Sequence, residues 1–397
     1  MAEKDYANTE QTEVKSSNLL VGMTIVLHAL NHVISGGMPV LYPEILQEFQ
    51  LSYSQLGLLR SASTFSAGFP QMFVGFLRRW FSGRVIISIG NIFNSVFNII
   101  AGFTGNFHQF ISVRVLSGIG SSPQHPVGTS IITTNTDPSK RGRFLGLNQA
   151  VPAISFTVTP LIAATMLAYF KWRMTLSLLS IPPLIVSFIL LLFVKGAGDA
   201  EGTTSDALSW SRLSEALRNR NVMFISLVRT VMAFRMGVRA FIPLYLIDML
   251  GLAPGLSSVL YSVMIFGGVL GPFFWGYLSD RMNRRPIIVG ILAASSVLYL
   301  LLRMVTEIWL LVPLLFLIGF MVQTVVVQSV LSESVERSQL DQIFGFYFTL
   351  GFTLAAFSSI VFGYVVEIFG FGWGFVYIAG ITAVSIIPAL YIKEPRV

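Results

Sequence analysis

Cysteine is absent from all 397 residues, which excludes disulfides, thiolate metal sites and cysteine nucleophiles. Charge is nearly as scarce. Only 11% of the residues are Asp, Glu, Lys or Arg, against roughly 25% in an ordinary water-soluble domain, so a soluble fold is excluded at the outset. There is no phosphate-binding Gly-x-x-x-x-Gly-Lys-Ser/Thr loop, and any uphill work must draw on a gradient. No Gly-x-Ser-x-Gly elbow occurs either, which argues against a serine hydrolase. What is abundant is apolar: 54% hydrophobic residues with 33 Phe and 14 Met, and a mean hydropathy of +0.72. Only lipid supplies enough apolar surroundings for such a chain.

A helix needs about 20 mostly apolar residues to cross the hydrocarbon. Twelve such runs are expected, over 18–43, 54–76, 84–104, 109–132, 144–170, 173–194, 221–249, 256–278, 286–304, 308–331, 344–366 and 373–392, and they are called spans one to twelve. Residues 1–17 are polar and mixed in charge, which reads as a short cytosolic tail and not as a signal peptide. Counting Lys and Arg in alternate loops sets the orientation. Eighteen of the 26 fall on the side of the amino terminus, six lie within spans, and only Lys171 and Arg173 fall in the opposite loops. This asymmetry places both termini in the cytosol of a multi-pass protein of the plasma membrane. It also accounts for a formal charge of +7 without nucleic acid.

The chain reads as a duplication. Pro39 with Glu44 recurs as Pro243 with Asp248, an offset of 204 at both positions, and the loop beginning at Gly75 has a counterpart beginning at Gly276, offset 201. Two six-helix bundles are expected, 18–194 and 221–392, joined by a cytosolic linker over 195–220 with a helical turn or two, and followed by a cytosolic tail over 393–397. The fold class is all-α integral membrane. Parallel halves of this kind are a transporter architecture, with substrate bound near the midplane.

Particular residues carry a family resemblance. Gly276, Leu278, Asp280, Arg281, Arg284, Arg285 and Pro286 resemble the loop motif of the major facilitator superfamily, with Asn283 in place of its second glycine. Arg114-Val-Leu-Ser-Gly118-Ile-Gly120 is similar to the superfamily's second motif. Within the superfamily, HALNHVISGGMPVLYPEILQEFQLSYSQLGLL and GIGSSPQHPVG resemble fosmidomycin-resistance-type drug efflux proteins. The departures are His32 where the acid of an Asn-Asp pair is expected, Val127 where a Glu is expected, and Thr159-Pro160 as the remnant of the antiporter motif. The resemblance implies a secondary transporter working by alternating access, a monomer, and proton-coupled efflux. It also implies that Gly276, Asp280, Arg281, Arg284 and Arg285 gate the cytosolic side, Asp280 by accepting from a neighbouring helix amino terminus.

The polar residues at membrane depth read as the working parts. His28, Asn31, His32 and Ser35 fall at i, i+3, i+4 and i+7, on one helical face that should point inward. Arg235 and Arg239 stand at i and i+4 in span seven, and the offset of 204 maps them onto Asn31 and Ser35. None of the 19 Asp and Glu falls near the middle of a span. An unpaired charge in low dielectric is costly, so the arginines call for a water-filled cavity or an anionic ligand such as a carboxylate or phosphonate. The alternative is that each arginine bonds helix ends. Gln323 and Gln328 mark span ten as a further substrate contact.

His28, His32 and His125, with Arg114, are the candidates for proton coupling. For His125 the alternative is a hydrogen-bonded histidine at a proline kink, and for Arg114 a role in helix positioning. No metal site and no cofactor are expected. The partners are a small, anionic molecule, protons and the bilayer. Alternatives are a gradient-independent organic-anion uniporter or exchanger and, disfavoured, a polytopic enzyme.

Overall fold

The computed structural model describes residues 2–78, 80–137, 140–194, 218–322, 324–335 and 340–394. The linker expectation, Arg79 and Gln323 lie outside them. Among the described residues ten helices are long and apolar enough to cross a membrane, and they coincide with ten of the twelve expected spans. The other two, spans two and four, are helical but broken. Span two runs as Tyr53–Gly68 and Gln71–Leu77, interrupted just before the second piece by Pro70. Span four runs as Phe107–Ser121 and Gln124–Thr134, with Pro123 between them. Proline lacks the N–H that would continue the ladder and crowds the preceding turn, so each run ends short of a full crossing.

The chain divides into two compact units, residues 1–38 with 66–205, and 39–65 with 206–397. The division falls inside the helix of span one, Ala2–Phe49. That helix also begins within the segment read as a tail, because AEKDYANTEQTEVK contains helix-forming Ala, Glu, Gln and Lys and neither Gly nor Pro. In the first unit, Leu20, Leu27, Ile86, Ile87, Val127 and Ile131 form a buried apolar cluster joining spans one, three and four. The Arg84 guanidinium donates to the carbonyls of Leu191, at 3.1 Å, and Val194, closing the exposed end of span six.

In the second unit the core is Val222, Ile225, Ile288, Ile291, Val326 and Val330 with their neighbours. Span eight, Pro254–Ser279, packs closely on span ten. A Cβ on Gly267 or Gly271 would run into the carbonyl oxygens of Phe316 or Phe320, and one on Gly319 into that of Met264. Small residues therefore set this helix separation. Gly251 and Gly370 take φ of +65° and +80° in the turns after spans seven and eleven, where a side chain would be strained.

Candidate functional site

In the first unit, three asparagines and a glutamine tie the polar face of span one to spans three, four and five. Asn31 Nδ2 donates to Asn91 Oδ1 at 2.9 Å, and Asn91 Nδ2 donates to Gln124 Oε1 at 2.8 Å. Gln124 opens the helix after the Pro123 break, so the chain of amides positions His125 beside it. His28 Nδ1 bonds Asn148 Oδ1 at 2.9 Å, and the Ser155 hydroxyl donates to the Ala29 carbonyl at 2.8 Å. The result is a cluster of rings, with His28 4.9 Å from His125 and 5.0 Å from His32 between centroids, and His32 edge-on to Phe156. Ser35 turns its hydroxyl back to the His32 carbonyl at 3.3 Å. Of the expected polar stripe, Asn31 and His28 are thus engaged between helices. Asn148 carries no periodic signal of its own and was missed by sequence reading.

Arg114 is buried and donates to Asn98 Oδ1. Asn98 Nδ2 donates to Asn94 Oδ1 and Ser117 Oγ at 2.8 and 2.7 Å, and Ser117 Oγ donates to Asn94 Oδ1 at 2.7 Å. This network ties span four to span three.

The second unit carries the arginines. Span seven begins as a regular helix, Arg220–Ala233, then tightens into a 3-10 segment, Phe234–Phe241. Gly237 lies directly against the backbone at Ser358, and Pro243 follows, whose carbonyl accepts from Ser257 Oγ at 3.1 Å. At three residues per turn, residues four apart stand about 120° apart around the axis, against about 40° in an α-helix. Arg235 and Arg239 therefore do not share one face as the i, i+4 spacing suggested. Arg235 instead lies within electrostatic reach of Arg239 and Tyr299, while Arg239 and Arg60 both approach Tyr261. Among the described residues, Arg235 Nη1 is buried with no hydrogen-bond partner. Arg60, from span two, is the member of this group that the sequence placed in a span without assigning it to the site.

Span ten is discontinuous at Met321–Val322, between Ile308–Phe320 and Thr324–Glu333. The Phe320 carbonyl at the break is taken by Trp275 Nε1 at 2.9 Å, and that of Met321 by Ser295 Oγ at 3.3 Å. Gln328 is half-buried on the second piece. Val322 lies 200 residues after Ser122, close to the repeat offset, so spans four and ten break at corresponding places.

At the loop between spans eight and nine, Arg284 pairs with Glu333, and the Arg281 guanidinium stacks 3.6 Å from the Tyr277 ring. Asp280 is exposed, and among the described residues nothing bonds its carboxylate. The helix amino terminus at Arg284 is capped instead by Glu394.

A family model described as the Major Facilitator Superfamily matches residues 24–271 and 230–397. The chain is 31% identical over 144 residues to a probable L-galactonate transporter of Escherichia coli (strain K12), covering 36% of this chain and 32% of that protein, so the match spans about a third of the relative's length. It is 20% identical over 372 residues to the fosmidomycin resistance protein of the same organism, covering 91% of this chain and 89% of that one. Among solved structures, a bacterial homologue of the human lysosomal transporter Spinster, inward-facing and occupied, superposes with a TM-score of 0.76 at 16% identity, covering 94% of this chain and 96% of that one.

Proposed function

The chain belongs to the Major Facilitator Superfamily, and on that premise we propose that it is a secondary transporter exporting a small organic anion by alternating access in exchange for protons. Its membership makes it a transporter and not an enzyme. The observation that carries the anion is the arginine group of the second unit. Arg235, with a buried Nη1 that has no partner among the described residues, lies within electrostatic reach of Arg239, and Arg239 and Arg60 both act on Tyr261, in a chain that places no carboxylate at the middle of any span. A guanidinium with a buried, unpartnered nitrogen, as in Arg235, is satisfied by a carboxylate or phosphonate held through paired hydrogen bonds, and Arg239 is exposed where a ligand can reach it.

Two relatives lend support by name, one a probable L-galactonate transporter and the other a fosmidomycin resistance protein. Arg235, Arg239, Gln323 and Gln328 are assigned to the substrate in the second unit, and His32 and Ser35 are substrate candidates in the first. The excess of Lys and Arg in alternate loops supports a plasma-membrane protein with both termini cytosolic, and membership of the superfamily supports a monomer. The absence of a phosphate loop leaves an ion gradient as the source of energy.

Flux of labelled fosmidomycin and of small carboxylates into inside-out proteoliposomes, with and without an imposed pH gradient, tests this reading. Gradient-driven accumulation of an anion supports it. Anion flux that ignores the gradient makes the protein a uniporter or exchanger, a reading favoured by the lack of any mid-span acid. Flux of neutral compounds alone contradicts the arginine assignment.

A further inference from the structure

Three of the four histidines of the chain meet at one point in the first unit. His28 and His32 lie one turn apart on span one, and His125 is the second residue of the helix that restarts after Pro123. One ring nitrogen from each lies within 4.8 Å of the other two. We propose that His28, His32 and His125 form a binding site for a divalent transition-metal ion of the zinc, cobalt or nickel class, held by three imidazoles with a fourth position open.

The hydrogen bonding around the cluster prepares it for an ion. The Asn148 side-chain oxygen can only accept, so its 2.9 Å bond to His28 Nδ1 requires the proton on that nitrogen. The lone pair is then on Nε2, which is buried without a partner among the described residues, in a side chain only 1% exposed. His32 Nδ1 is likewise buried and unpartnered among them. Buried ring nitrogens without a partner are costly. A metal ion takes the lone pair of His28 Nε2, and that of His32 Nδ1 in the tautomer that carries its proton on Nε2. An oxygen accepting from the far ring nitrogen is the usual companion of a metal-bound histidine, because it fixes the tautomer and the plane of the ring.

The donors are also held in place. Asn31, Asn91 and Gln124 bond in series and set the position of His125 relative to span one, and Ser155 pins span five to the Ala29 carbonyl. Nitrogens bound tetrahedrally at about 2.1 Å from zinc are roughly 3.4 Å apart, so closing the triangle takes about an ångström of ring rotation. His125 is exposed, which provides a path of entry. An all-imidazole set without carboxylate or thiolate suits borderline metals and not calcium or magnesium. This site goes beyond the transport reading and does not depend on it, and it replaces the expectation that no metal is bound. It also gives the three imidazoles a use other than carrying protons.

The test uses the full chain, purified in lipid nanodiscs with any histidine tag removed, stripped with a chelator and dialysed against Zn²⁺ or Co²⁺. The expected result is about one ion per chain by elemental analysis, with the visible absorption of low-coordinate Co²⁺. Asn148→Leu should weaken binding roughly tenfold to a hundredfold, His32→Gln and His125→Gln should abolish the Co²⁺ band, and His108→Gln should change nothing. Retention no greater than that of the folded triple variant His28→Gln/His32→Gln/His125→Gln overturns the proposal. So does a Co²⁺ spectrum unchanged by His125→Gln. Arg235→Gln keeps the metal whatever happens to anion flux, so failure here is distinguishable from failure of the transport reading.

Discussion

Glu394 caps the helix that Arg284 begins: its carboxylate oxygens accept the backbone N–H groups of Arg284 and Arg285 at 3.2 and 2.7 Å. The first N–H groups of a helix have no partner within it, and an anion there also meets the positive end of the helix dipole. The segment carrying Glu394 is itself fixed, since Lys393 N donates to Asn221 Oδ1 at 2.8 Å and Asn221 Nδ2 returns to the Lys393 carbonyl at 3.0 Å. Glu394→Ala should therefore lower stability by roughly 1 kcal/mol. Asp280→Asn, at an exposed carboxylate with no partner among the described residues, should stay within roughly 0.5 kcal/mol. Thermal unfolding in detergent compares the two, and equal losses would remove the distinction drawn here between cap and motif acid.

The amide series Asn31–Asn91–Gln124 predicts a coupled loss. Asn91→Leu leaves an unpaired side-chain N–H donor on Asn31 and an unpaired acceptor oxygen on Gln124, at a cost of about 1–2 kcal/mol. Adding Gln124→Leu should cost less than the sum of the single changes, because both belong to one network. Strict additivity in a double-mutant cycle would show that the bonds act independently.

Close packing of spans eight and ten predicts a steric contrast. Gly267→Ala forces a methyl against the Phe316 carbonyl and should destabilise by roughly 1–3 kcal/mol. Gly290→Ala, where nothing lies within 4 Å, should be neutral or gain up to about 1 kcal/mol from helix propensity. Melting temperatures that move in the same direction for both would contradict this packing.

The arginine group predicts a graded effect on transport. Arg235→Gln removes a charge-assisted pairing with the substrate and should raise KM roughly tenfold to a hundredfold. Arg60→Gln, farther along the same cluster, should act in the same direction with a smaller size. Initial-rate kinetics in proteoliposomes read both, and an unchanged KM for Arg235→Gln would move the substrate elsewhere.

Much of this architecture was legible because hydropathy and loop charge are strong signals. Ten spans were readable from runs of apolar residues, and Pro70 and Pro123 were visible as letters even though their effect on spans two and four was not. The 3-10 winding of Phe234–Phe241 was not legible, because it comes with the close approach of Gly237 to a backbone 121 positions away. For the same reason the i, i+4 arginine spacing misled. The division at Met38 was hidden inside one continuous helix. His28, His32 and His125 were readable as polar residues at depth, but their meeting, and Asn148 behind them, depend on which helices pack together. Glu394 was masked by the motif, whose aspartate drew attention away from an ordinary acid near the end of the chain.

The central claim is that the second half holds an organic anion through Arg235 and its neighbours. Counterflow tests it most directly, with proteoliposomes preloaded with unlabelled carboxylate or phosphonate and labelled compound outside, without any pH gradient. The account predicts rapid exchange of the anion by the wild-type protein, little exchange of a neutral analogue, and a strong loss with Arg235→Gln. Equal exchange of the neutral analogue, or full anion exchange by Arg235→Gln, would contradict it.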